Sequence, residues 1–289
     1  VKLTWQTSEM VNCLHAAEAW LRSPANMDAA LAGALTAPVT ALLQTLLEQG
    51  VPPDAFWSHV VPLAAGIQGS QELTQVTLTK VMGRADALPR VARLCGLLND
   101  VKTAFTRVIP HAQEQTASAA RDLRQRWSYQ GEGLLSGVLR WTEPGLLVEE
   151  GAVLMVHPVL GGGGTAHLPY NSVRLEAVGA DPVAELPEVL RLAWLLSSLN
   201  LDLPRYSEHL RPRRLTQVAG LAMIPVVLSA AAELGLDGSL EARLPQATAL
   251  WMGTAETATA GILSAWWDSY RTLRPAWGTA LQALDQLLP

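Results

Sequence analysis

The residues best suited to do chemistry lie in one central stretch, residues 145–178. Four glycines follow one another there: Gly161, Gly162, Gly163 and Gly164. A backbone without side chains can approach a phosphate or carboxylate closely and turn several N–H groups toward it. Together with Asn171, these glycines form the candidate ligand-binding set. A nucleotide loop would open a helix and end in Gly-Lys-Ser/Thr. Here Thr165 follows, then more extended sequence, and no lysine occurs after Lys102. A kinase-like glycine lid fails as well, because the strand lysine and the His-Arg-Asp signature are missing.

His157 and His167 flank the glycines, so a hairpin would bring their rings together at its open mouth. With Tyr170 and Arg174 they are the candidate catalytic residues, and with Glu176 also near they suit proton transfer. A metal is not expected, since metal-binding histidines usually lie one helical turn apart around a Glu. His15 and Glu18 are three apart on one helix face, the spacing used in di-metal bundles. The second such motif is missing, so they read as an ordinary helix-face pair. No Gly-x-Ser-x-Gly occurs, and neither Cys13 nor Cys95 has an electropositive neighbourhood in sequence. No cofactor is specified.

Two basic clusters stand out: Arg121, Arg124 and Arg126, then Arg211, Arg213 and Arg214. The net charge of −5 and pI near 5.7 argue against nucleic acid as a partner. These clusters read as a solvated helix face and a charged loop. Trp is over-used, with ten against two Phe. Trp266 and Trp267 are adjacent, about 100° apart around a helix, so both are hard to bury in one narrow stripe. With Trp277 they are the candidate interface, where an exposed indole would anchor a second copy or another protein. Between two packed helices they would instead be core.

The rest of the chain must position these groups, and it reads as helix cut by Pro and Gly. The hydrophobic fraction is 49% and the charged fraction 16%, against about 25% charged in ordinary domains, so there is ample surface to bury. Residues 5–22 carry Met10, Cys13, Leu14, Ala17 and Leu21 at helical spacing. The following helix, with Asn26 as its cap, is expected to break near Pro38. Pro62 should kink the next one, and Asn99-Asp100 or Pro110 should interrupt a long passage over residues 87–127. Gly131 and Gly133 should loosen the chain. Beyond the centre, helices are expected from Asp181-Pro182 to Asn200, then over residues 215–234, 239–251, 254–273 and 276–288.

Residues 146–149 and 152–157 flank a Glu-Glu-Gly turn, and residues 173–177 alternate apolar and polar. The fold class is therefore mainly α: a single multi-helix domain over 1–289 with a small central β-hairpin or three-stranded meander at about 146–178. A split into 1–144 and 145–289 is the alternative. The first twelve residues hold no apolar run like the core of a signal peptide. Residues 218–232 are apolar but number 15, short of the ~20 that span a bilayer, so a core helix and no transmembrane segment are expected. Two reduced cysteines suit the cytoplasm. The leading functional expectation is a soluble, non-catalytic helical module that binds a small ligand or a protein partner and self-associates. The alternative is an enzyme with its site where the ribbon meets the helices.

Overall fold

The computed structural model describes residues 1–178, 186–208, 210–236, 238–253 and 257–289. Helix makes up 71% of it, around one small mixed sheet, so the mainly α class with a central sheet holds. The chain nevertheless opens with a strand, β1 (Lys2–Thr7), where a helix from residue 5 was expected. Leu3 and Trp5 alternate with Lys2, Thr4 and Gln6, a period of two. Ser8 then caps α1 (Glu9–Arg22), its hydroxyl accepting from the Val11 amide.

Next comes α2 (Ala29–Glu48), capped by Asp28 rather than Asn26. It runs unbroken through Pro38. Leu31, Leu35, Val39, Leu42 and Leu46 are buried on both sides of the proline, and that burial outweighs one lost hydrogen bond. α3 (Pro53–Leu63) also runs through its proline, Pro62, which lies in the last turn, so that little helix follows it. The N-terminal helices continue as α4 (Ser70–Met82), α5 (Arg84–Ala87) and α6 (Val91–Val108).

The long passage breaks at Pro110, and α7 (Ala112–Trp141) passes straight through Gly131 and Gly133. A related glycine in this helix has a packing reason: a Cβ on Gly137 would lie 2.6 Å from that of Ala230. The second half comprises α8 (Glu188–Ser197), α9 (Pro204–Ser207), α10 (Leu215–Glu233), α11 (Leu240–Met252), α12 (Thr257–Leu273) and α13 (Trp277–Leu287). The expected start at Asp181-Pro182 falls outside the described residues, as do 254–256.

The other strands are β2 (Glu150–Val156), β3 (Gly164–His167) and β4 (Ser172–Glu176), in the order β1-β2-β4-β3. β1, β2 and β4 run parallel, and β3 is antiparallel to β4. The sheet thus has four strands, and its hairpin joins β3 to β4 rather than turning at Glu149-Glu150-Gly151. Asn171, at φ 43°, makes that turn, and its carbonyl accepts from the Ala152 amide at 2.9 Å.

The sheet separates two apolar cores. Leu154 and Val156 belong to the core built by α1–α6; Val153, Met155, Val173 and Leu175 belong to the one built by α7–α13. Trp266, Trp267 and Trp277 lie inside the second core, at most 4% exposed, which corrects their expected interface role. The two adjacent indoles both find space because α12 is enclosed on more than one side. Trp266 donates to the Ala280 carbonyl and Trp267 to the Ser229 hydroxyl. By length and composition α2 and α10 could each cross a bilayer, but 78% of the apolar stretch of α10 is buried within the protein.

Candidate functional site

On β4, Val173 and Leu175 point into the second core, so Ser172, Arg174 and Glu176 point the other way. In an ordinary half-buried strand that face meets water. Here it meets α1, and all three side chains are buried. α1 offers a matching polar stripe of Asn12, His15, Glu18 and Arg22, spaced to share one helix face.

Glu176 is the centre of this layer. Its Oε1 accepts the amides of Val159 and Leu160 at 3.0 and 2.9 Å, and its Oε2 those of Gly162 and Gly163 at 2.7 and 2.9 Å. His15 Nε2 lies 2.8 Å from Oε1. The glycine loop is thus a backbone anion cradle, occupied by the chain's own carboxylate. Gly162 is suited to this by its φ of 136°. Burial opposes the charge, but His15 and the glycine amides hold the carboxyl well below its usual range. A carboxylate can only accept, so His15 Nε2 carries the proton that is donated to it.

Burial also holds the His15 ring below its ordinary pKa, with Arg174 adding to the effect. The ring is therefore neutral at pH 7, and its Nδ1 is a bare acceptor, buried and without a hydrogen-bond partner among the described residues. Glu18 forms an ion pair with Arg174 at 2.6 Å and another with Arg22. Despite burial, those guanidinium groups keep its carboxyl below the usual range. Arg174 also donates to the Thr165 hydroxyl at 3.2 Å. Behind the loop, Arg191 donates to the Glu176 carbonyl and to Glu188, which also accepts from Arg126.

Three adjoining cavities, of about 500, 270 and 610 Å³, follow β3 from Gly163 to Pro169. Arg22 and Thr165 line all three. Trp251 and Met252, at the end of α11, wall the first two, and Trp57 and His59 the third. The groove therefore has an apolar wall on one side and the charged layer on the other.

The expected site residues are only partly gathered here. Gly162, Gly163 and Gly164 line the groove, but the amides of Gly162 and Gly163 are taken by Glu176. Gly161 is not part of that lining, and Asn171 serves the turn. Arg174 belongs to the layer. His157 and His167 do not meet: one follows β2 beside Glu176, the other ends β3 beside Ser172, some 13 Å away along β4. The His157 amide is bound by the Asn12 side chain. His167 lines the third cavity, and burial, helped by Arg174, pushes its pKa down to about 3. The Tyr170 hydroxyl lies 2.6 Å from His59 Nδ1.

The sequence offered His15 and Glu18 as a helix-face pair and Glu176 near the two central histidines; that these groups meet, and that Arg22 joins them, was not legible. The signal was present as polar residues at helical spacing in α1 and at alternate positions in β4. Among the described residues, no cluster of His, Cys, Asp and Glu is arranged to hold a metal ion. Arg126 pairs with Glu188, and Arg211 and Arg214 with Asp285, so members of both basic clusters serve the fold. The chain matches no protein-family model, no curated protein and no solved structure.

Proposed function

We propose that the protein is a soluble, non-catalytic binding module of the cytoplasm that takes a small polar ligand in the groove along β3. The observation carrying this reading is the ion-paired set of Glu18, Arg22 and Arg174, prebuilt beside His15 and against an apolar wall that contains Trp251. A few fixed polar groups in a largely apolar cleft orient a ligand without a further ordering cost. Both cysteines are free thiols, in keeping with a reducing compartment. The burial of α10 supports the soluble part of the reading.

The test is calorimetric titration against a panel of small carboxylates, phosphates, amines and zwitterions. Saturable binding is expected from compounds carrying an anionic group, weakened at least tenfold by Arg22→Gln. The Arg22 side chain is 61% exposed, so this change spares the fold. No binding from any class, or binding indifferent to Arg22, overturns the reading.

A second reading, as an enzyme, draws on the Glu176–His15 pair. A carboxylate that fixes one ring nitrogen leaves the other as a base. It ranks second because that nitrogen is closed off and no nucleophile reaches it among the described residues. Consumption of a bound compound by the parent, lost in a folded His15→Gln variant, would reverse the order.

A further inference from the structure

The direction of every main-chain group on β3 follows from three hydrogen bonds. Ala152 donates to the Asn171 carbonyl, and Ala177 donates to the Val156 carbonyl, so the odd-numbered residues of β4 bond to β2. Its even-numbered residues therefore bond to β3, as Glu176 does by donating to the Gly163 carbonyl at 3.0 Å. In that register Thr165 faces Arg174 and His167 faces Ser172 as bonded pairs. Gly164 and Ala166 are left with N–H and C=O pointing away from the sheet. No backbone hydrogen bond from a described residue covers them. β3 is the edge strand, and the space beside it is the groove.

Charge also differs between the two ends of the groove. Both of its outer cavities share the Glu18–Arg22 pair. Beyond that pair, the end by Gly163 has Arg174, and the end by Leu168 has Asp54 and Asp202. The middle is apolar, lined by Trp194, Leu195, Ala219 and Met252.

We propose that this groove takes an extended peptide of three or four residues, added antiparallel to β3 as a fifth strand with its free C-terminal carboxylate toward Arg174. A cationic N-terminus or side chain then lies at Asp54 and Asp202. The four residues of β3 span about 13 Å, which sets the ligand length. The direction follows from charge: the carboxylate end lies where β3 begins, so the two chains run opposite ways. Main-chain pairing supplies affinity, and small apolar side chains in the middle supply fit. The proposal rests on reading the groove as a ligand site and adds the class of ligand.

The experiment titrates the intact protein with the tetrapeptide lysyl-valyl-alanyl-valine. Its C-terminal amide and two N-methylated forms, one blocked at the amide of the first valine and one at that of the neighbouring alanine, are titrated alongside, with succinate as a simple dianion. The parent peptide should bind more tightly than succinate. The amide should bind about tenfold more weakly, and one N-methylated form should lose binding while the other keeps it. Ala166→Pro removes an outward N–H and no hydrogen bond to β4, and should abolish peptide binding but not succinate binding. If that variant does not fold, the N-methylated pair decides alone. Equal binding of both N-methylated forms, or succinate bound and the peptide not, overturns the strand-addition proposal and leaves the ligand-site reading standing. Binding of neither overturns both.

Discussion

At the scale of single residues, Glu176 decides the local structure. Four amides and one imidazole converge on a side chain with no solvent exposure. Glu176→Gln keeps the shape but replaces acceptor lone pairs with an NH2 group aimed at N–H donors. It should lower stability by about 3 kcal/mol or more, as breaking a buried charged contact does. Urea unfolding checks this, and a midpoint like the parent's would mean the loop is held by something else. Two loop glycines should then differ. Gly162→Ala is strained at φ 136° and should cost about 1–3 kcal/mol. At Gly163 an added Cβ meets the Glu176 carboxylate at 3.6–3.8 Å, an ordinary contact, so Gly163→Ala should be nearly neutral.

The histidines give the same layer a pH signature. Burial holds His15, His157 and His167 below the ordinary 6.5, His167 down to about 3. Below pH 6.5 the unfolded chain therefore binds protons that the folded chain refuses. Their stabilising contribution is full above 6.5 and declines as the pH falls, for His167 until about 3. The slope is about 1.4 kcal/mol per pH unit for each histidine while it is neutral folded and protonated unfolded. Glu18 and Glu176, both held below the usual carboxylate value of 4.5, add to the loss below that pH. Urea midpoints from pH 8 to 4 should be level at first and then drop, with a shallower drop in His167→Gln. A level profile down to pH 5 contradicts the burial of neutral rings.

At the scale of elements, the aromatic cluster is the clearest test. Trp266 stacks on Tyr270 and meets Trp277 edge-on, and Tyr270 binds the Trp141 carbonyl, joining α7, α12 and α13. Trp266→Ala should cost about 3–5 kcal/mol, as emptying a core ring does, with no change of mass in solution. A selective change of oligomeric mass with unchanged stability would restore the interface role. Much of the fold was legible, because an apolar helix such as α10 declares itself by composition and length, whereas the polar α7 reads as two pieces parted at Gly131 and Gly133. β1 was missed because its six residues abut a stronger helical pattern. The hairpin was displaced because a Glu-Glu-Gly turn and a parallel strand entry look alike locally. The site was half-legible for one physical reason. Polar residues on an amphipathic helix and an alternating strand normally face water, and nothing in either segment announces that they face each other.

At the scale of the whole molecule, the question is whether the two cores are separate folding units. β2 argues that they are not. Its Leu154 and Val156 fill one core while Val153 and Met155, on the same strand, fill the other. Losing either core exposes half of β2, and β1 reaches β2 from the far end of the sequence. The layer of His15, Glu18, Arg174 and Glu176 adds charged contacts that neither half completes alone. A single cooperative transition is therefore expected at neutral pH. Cys13 can report on the first core, since its thiol is fully buried and its pKa is pushed up to about 12, mainly by burial. In a Cys95→Ser background, alkylation of Cys13 should begin at the urea concentration where the fluorescence of the Trp266–Trp267 cluster is lost. If labelling precedes the loss of fluorescence, the N-terminal helices open alone and the sheet does not bind the halves into one unit. If both fall together, β2 and the charged face of β4 are the joint that makes them one.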